Sequence, residues 1–235
     1  VINAERIRQN LELIQSRIAS AVGRSGRPAG TVRLVAVTKR NSSEAIRTLV
    51  ENEGARDLGE NYPQELWRKV DALADLSAAV RWHLIGHLQS NKAKKTLPLV
   101  TMIHSVDSLS LLQSLDKLVS GMEHPPAVCL QVNASGEASK HGWSAEEILN
   151  DSEAIAECRA IPIVGLMTMA ALAEDAEAAR PAFRGLREVR DQLRVRTGLE
   201  LPELSMGMSG DFEVAIEEGA TLVRVGSALF EGAET

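Results

Sequence analysis

Apolar residues recur at Ile7, Leu11, Ile14 and Ile18, three or four apart. That spacing predicts one amphipathic helix over about residues 3–22. After a turn-rich stretch from Gly23 to Gly30 the pattern shortens to Val32-Arg33-Leu34-Val35-Ala36-Val37. A brief β-branched run of this kind reads as a buried strand. Ser42-Ser43-Glu44 then opens a helix whose apolar positions are Ile46, Leu49 and Val50. The same two-part unit repeats along the chain. Further strands are predicted at Asp57–Gly59, Val80–Ile85, Val100–His104, Ala127–Val132, Pro162–Leu166, Glu203–Met206 and Thr221–Val225. Helices follow at about Pro63–Leu76, from Ser90, from Ser108, at Ser144–Cys158, Asp175–Arg196 and Asp211–Glu217, with a helical turn at Ser227–Phe230.

Strands alternating with helices every 20–40 residues or so favour an all-parallel sheet. Eight such units in 235 residues match a single-domain (β/α)8 TIM barrel of α/β class, whose usual size is about 250 residues. An open doubly wound sheet is the alternative. No linker or low-complexity tract divides the chain, so residues 1–235 are read as one domain.

Composition narrows the partners. The chain has three Phe, three Trp and one Tyr, so its core must be built from Ala, Leu, Val and Ile. A platform stacking many bases is therefore disfavoured. The formal net charge is −6, which repels a phosphate backbone, and nucleic-acid binding is not expected. The basic run Asn91-Lys92-Ala93-Lys94-Lys95 reads as a solvated helix face. The two cysteines, Cys129 and Cys158, give neither a disulfide framework nor a metal site, which fits a reducing compartment. No apolar run reaches the roughly 18 residues of a membrane span. The N-terminus is polar, without an apolar signal core. A cytoplasmic monomer without membrane association is expected.

Polar residues gather where a barrel carries its chemistry, at the C-terminal ends of the strands. Lys39 directly follows the apolar first strand. At that mouth it is expected to be partly desolvated, which lowers an amine's pKa and readies it for Schiff-base chemistry with an aldehyde. A surface cation at a strand end is the plainer alternative. Met206-Gly207-Met208-Ser209-Gly210 and Val225-Gly226-Ser227 are two Gly/Ser turns after short strands. Such turns offer backbone N–H groups and a hydroxyl to a phosphate, and also serve as ordinary βα connections. Arg224 stands beside the second turn, placed either to meet a phosphate or to face a ring nitrogen of the ligand. His83, His87 and His104 lack metal-ligand spacing, so no metal is expected; His83 is assigned to the cavity wall or to core polar groups. Glu60 and Asn61 are placed to bond a ligand hydroxyl or a neighbouring loop.

Several blocks stand in a telling order. They are Val35–Lys39, Gly59-Glu60-Asn61-Tyr62-Pro63-Gln64-Glu65, Trp82–Lys92, Gly165–Met169, Leu204–Ser209 and Val223–Gly232. Together they closely resemble the YggS/PROSC family of pyridoxal 5′-phosphate (PLP) homeostasis proteins, over nearly the whole chain. The resemblance implies a PLP fold-type III barrel, like the N-terminal domain of alanine racemase, with the cofactor on Lys39 as a Schiff base. It places Ser209, Gly226 and Ser227 at the phosphate. Arg224 and Asn61 match further cofactor positions, and His83 and Met167 match cavity positions. Ala170 departs from the Pro that many relatives carry after Met-Thr-Met.

The length leaves no room for a second domain bearing an opposing acid or base, and the chain's one Tyr is Tyr62. The expectation is thus a PLP carrier of vitamin B6 homeostasis, not an enzyme, that holds PLP reversibly and exchanges it with apo PLP-dependent enzymes. A weak PLP-dependent amino-acid racemase or lyase is the alternative. A cofactor-free Schiff-base aldolase acting on a sugar phosphate is the third reading.

Overall fold

Each predicted strand becomes a parallel strand in the computed structural model, which describes residues 2–134, 141–171 and 175–233. The strands are β1 (Arg33–Val37), β2 (Asp57–Glu60), β3 (Arg81–Leu84), β4 (Met102–Val106), β5 (Ala127–Gln131), β6 (Ile163–Met167), β7 (Glu203–Ser205) and β8 (Leu222–Val225). They close in chain order into a barrel. Closure comes from β8 pairing with β1, Arg33 opposite Leu222 and Ala36 opposite Val225. Helix α1 (Ala4–Arg24) precedes the barrel. Around it follow α2 (Ser43–Glu53), α3 (Pro63–Ala72), α4 (Ser90–Thr96), α5 (Leu109–Val119), α6 (Ala145–Asn150) and α7 (Ser152–Glu157). The outer ring ends with α8 (Arg180–Thr197), α9 (Phe212–Glu217) and α10 (Ser227–Phe230). The open doubly wound alternative is excluded by the closure.

The helix expected over Ser144–Cys158 is two helices. Asp151 leaves helical geometry (ψ 2°) and its carboxylate accepts from Trp143 Nε1 at 2.8 Å. That bond anchors the break against the barrel. The start of α6 carries a capping box, with Ser144 and Glu147 each accepting from the other's backbone N–H. The region expected as one helix from Asp175 begins with a 3-10 turn before α8, where Pro181 occupies the first turn.

Two apolar layers result. The outward faces of the strands and the inward stripes of the helices form the main core, which takes in Ile7, Leu11, Ile14 and Ile18 of α1 as their spacing requires. Inside the barrel, Val35, Met102, Cys129, Met167 and Leu222 form a small plug. Burial pushes the Cys129 thiol up, so it is an inert filler there. Above that plug the barrel opens towards the strand C-termini. The basic run lies on α4, where Lys95 Nζ sits 4.1 Å from the Trp67 ring centroid. Among the described residues no helix is long and apolar enough to cross a membrane.

Candidate functional site

The strand C-termini enclose a cavity of about 390 Å³, within the usual range of ligand pockets, about 300–1,000 Å³. Lys39, Asn61, Ser209, Arg224, Gly226 and Ser227 line it together with Val37, Ile85, Gly86, Met169, Met208 and Gly210. Lys39 comes from the turn after β1, closed by Asn41 N donating to Thr38 O at 3.1 Å. Arg40 in that turn has φ 66°, a conformation that side chains other than Gly and Asn rarely adopt. Lys39 itself is exposed. Its amine is thus less enclosed than its place after an apolar strand predicts, because it stands on the rim of the cavity.

Behind the rim the end of β1 is gripped by a buried polar cluster. Lys69 of α3 donates to Thr38 O at 2.6 Å and pairs with Glu60 Oε1. Thr38 Oγ1 donates to the same carboxylate at 2.7 Å. Glu60 thus bonds the scaffold beneath the site and does not face the cavity. Its neighbour Asn61 does, and the close approach of its backbone demands glycine opposite: a Cβ on Gly86 would lie 2.1 Å from Asn61 O.

The two C-terminal turns come together as one surface. Gly207 has φ 94°, and a Cβ there would meet Ala215 and Phe212. This lets the chain leave β7 tightly and bring Ser209 alongside the turn after β8. The Ser209 hydroxyl receives Gly226 N–H and Ala228 N–H at 3.4 and 3.5 Å. These long bonds aim a hydroxyl and backbone amides at one spot of the cavity wall, as an oxyanion requires.

Arg224 points from β8 into the barrel and is 4% exposed. Its guanidinium donates to Ser205 Oγ at 2.7 Å and to Thr168 O at 3.0 Å. No carboxylate lies within ion-pair distance of it among the described residues. Burial draws its pKa down to about 10, leaving it charged at neutral pH. Its support continues as a chain of hydrogen bonds through the barrel. Ser205 Oγ lies 2.6 Å from His104 Nδ1, His104 Nε2 lies 2.9 Å from His83 Nδ1, and His83 Nε2 lies 2.8 Å from Asp57 Oδ1. One assignment gives every hydrogen an acceptor: Arg224 donates to Ser205, Ser205 to His104, His104 to His83 and His83 to Asp57. Burial keeps His104 well below the ordinary histidine pKa, and the nearby His83 and Arg224 act in the same sense. Asp57 is pulled both ways. Burial raises its pKa, but hydrogen bonds from His83 and Arg81 hold it down at about 2.

Six of the eight residues singled out in the sequence line this cavity. The other two lie deeper. Met167 belongs to the apolar plug, and His83 to the hydrogen-bonded chain beneath Arg224. Sequence reasoning passed over Ser205, Thr168 and Lys69. Lys69 had a usable signal, since it lies three residues after the buried Leu66, on the stripe that α3 turns inward.

The family described as alanine racemase, N-terminal domain, matches residues 2–234. The pyridoxal phosphate homeostasis protein of Aquifex aeolicus is 40% identical over 222 residues, 94% of this chain and 96% of that protein. The chain belongs to the pyridoxal phosphate homeostasis protein family. A second member, from Pseudomonas aeruginosa, is 42% identical over 95% of this chain and 94% of its own. The family also includes a human protein 36% identical over 94% of this chain and 84% of that one. Among solved structures, PipY of Synechococcus elongatus with PLP bound superposes with a TM-score of 0.79 at 37% identity, covering 91% of this chain and 99% of that one. Alanine racemase of Corynebacterium glutamicum shares the barrel fold, with a TM-score of 0.73 at 17% identity over 97% of this chain and 61% of that one.

Proposed function

We propose that this chain is a PLP-binding protein of vitamin B6 homeostasis, which holds the cofactor on Lys39 and releases it to apo PLP-dependent enzymes without robust turnover. One observation carries the reading: Arg224 is a buried cation beside the cavity with no carboxylate partner among the described residues. Its bonds to Ser205 and Thr168 use two of the five guanidinium N–H donors, and buried donors call for an acceptor that a ligand in the cavity supplies. The remaining donors fit PLP. Lys39 supplies an amine for the aldehyde, and the Ser209, Gly226 and Ser227 turns supply hydroxyl and backbone donors for the phosphate. Asn61 lies on the opposite wall. When bound, PLP supplies an electrophilic aldehyde and a ring able to accept electrons.

Arg224 is assigned to the pyridine nitrogen. A guanidinium has donors only, so a nitrogen facing it remains an acceptor and unprotonated. That weakens the ring as an electron acceptor and favours holding over chemistry. Among the described cavity-lining residues the titratable groups are Lys39 and Arg224, and no carboxylate, imidazole or phenol is poised to move a proton. The solved PipY with PLP bound and the homeostasis names of the relatives support the same reading. Both cysteines are free and buried, as suits the cytoplasm.

The decisive experiment is an absorption spectrum of the purified protein followed by transfer of PLP to an apo-enzyme. Lys39→Ala is expected to lose the Schiff-base band with its circular dichroism intact. A band that persists in the variant overturns the assignment. The alternative, a weak amino-acid racemase or lyase, draws on the match to the alanine racemase N-terminal-domain family and on the barrel fold shared with alanine racemase. Stereospecific α-proton exchange at enzymatic rates, on a panel of amino acids, would establish it instead.

A further inference from the structure

Three side chains of metal-ligating type meet on the same rim, outside the cavity wall. His87 follows Gly86 after β3, Asp107 directly follows β4, and His141 lies on the segment after β5. Asp107 Oδ2 lies 2.7 Å from His87 Nδ1 and 3.9 Å from His141 Nδ1. The imidazoles are stacked, with centroids 5.0 Å apart and planes 19° apart. One ligand atom from each residue falls within 4.8 Å of the others. The Asp107 side chain is only 9% exposed, so the carboxylate is seated in the barrel rim. The imidazoles over it are 46% and 70% exposed.

We propose that His87, Asp107 and His141 bind a divalent first-row transition ion of the zinc class. Two imidazole nitrogens and one carboxylate oxygen suit such an ion, whereas calcium and magnesium prefer oxygen-only shells. Zinc binds histidine nitrogen and carboxylate oxygen at about 2.0–2.2 Å, which sets its ligand atoms about 3.3 Å apart around a tetrahedron. The observed 2.7 and 3.9 Å bracket that separation. With all three ligand atoms within 4.8 Å of one another, side-chain rotation is the movement that would draw them onto one ion. Binding costs the hydrogen bond between His87 Nδ1 and Asp107, with the ring proton shifting to Nε2 or leaving to solvent. The exposed side keeps coordination positions open to water or a small anion. A plain His87–Asp107 hydrogen bond leaves unexplained why the second imidazole stacks on the first over one carboxylate. Nothing in the proposal depends on PLP.

The test is calorimetric titration of the full, chelator-treated chain with Zn²⁺, repeated with Co²⁺ by absorption. A single saturable site is expected. Changes in the groups around a metal's ligands alter affinity about 10–100-fold, and losing a ligand should do no less. His87→Ala and His141→Ala are each expected to weaken Zn²⁺ at least about tenfold. His124→Ala, an exposed histidine outside the cluster, is expected to leave it unchanged. Both ligand variants alter exposed side chains, and circular dichroism confirms their folding. Absence of a saturable site overturns the proposal. So does Zn²⁺ binding of equal affinity in the wild type, the two ligand variants and His124→Ala, which would mark adventitious surface uptake.

Discussion

Arg224 keeps its charge inside the barrel because a hydroxyl, two imidazoles and a carboxylate stand behind it in series. Bonds that all polarise in one direction reinforce one another in a low-dielectric interior. Asp57 serves as the remote anion of that chain. Its folded pKa of about 2 lies below the ordinary 3.8. The sign follows directly: its contribution is full above pH 4 or so and fades as pH falls towards 2, a loss of order 2 kcal/mol. Asp57→Asn should therefore be less stable than the wild type at neutral pH, with the difference shrinking in acid, as read from urea midpoints across that window. Ser205→Ala leaves Arg224 and His104 each short of a partner, at about 1–3 kcal/mol. Ser209→Ala and Ser227→Ala act on the ligand. They should weaken retention of PLP more than of pyridoxal, because each removes a hydroxyl that serves the phosphate. Equal losses, measured by equilibrium dialysis of both, would place those hydroxyls elsewhere.

At the scale of elements, the mouth depends on a buried ion pair joining α3 to the ends of β1 and β2. Lys69 and Glu60 are each 1% exposed at the side chain, and Glu60 Oε2 has no partner among the described residues. Such a pair adds little net stability over an apolar substitute, yet removing one partner strands the other. Lys69→Met should destabilise by about 3–5 kcal/mol in thermal or denaturant unfolding. Lys69→Met combined with Glu60→Leu should recover most of that loss. If the double variant recovers stability but not PLP retention, the pair serves to hold Thr38 and so to aim Lys39.

The whole molecule is tied together through α1, which crosses α9 and α10 on the barrel's flank. Asn10 Nδ2 donates to Leu229 O and Glu231 O, both at 3.0 Å, and Arg27 reaches Ile216 O and Ala220 O. The first helix and the turn after it thereby cap backbone carbonyls more than 180 residues away in the chain. These are the carbonyls of the segments carrying the Ser209 and Ser227 turns. Asn10→Leu keeps the apolar packing but takes the side-chain donor from Leu229 O and leaves Glu231 O to Arg6 Nε alone, at about 1–3 kcal/mol. Hydrogen exchange should then rise in α10, even though the substitution lies in α1. An increase confined to α1 would show that the two ends are not coupled.

The sequence by itself determined the architecture. Periodicity is a local property, and eight short apolar strands between amphipathic helices have few ways to bury both faces of a parallel sheet. The rim residues were legible for the same reason. Lys39, Asn61, Ser209, Arg224, Gly226 and Ser227 all sit at or just beyond strand ends, where a barrel opens. What lies along the barrel axis was decided by tertiary structure alone. Inward positions of different strands meet there at heights set by barrel stagger and register, which chain spacing does not encode. That is why His83 and Met167 dropped below the cavity, why Ser205 became a partner of Arg224, and why His87, Asp107 and His141 converge although no motif joins them. The helix break at Asp151 has the same origin, since the Trp143 side chain that pins it is placed by the barrel wall.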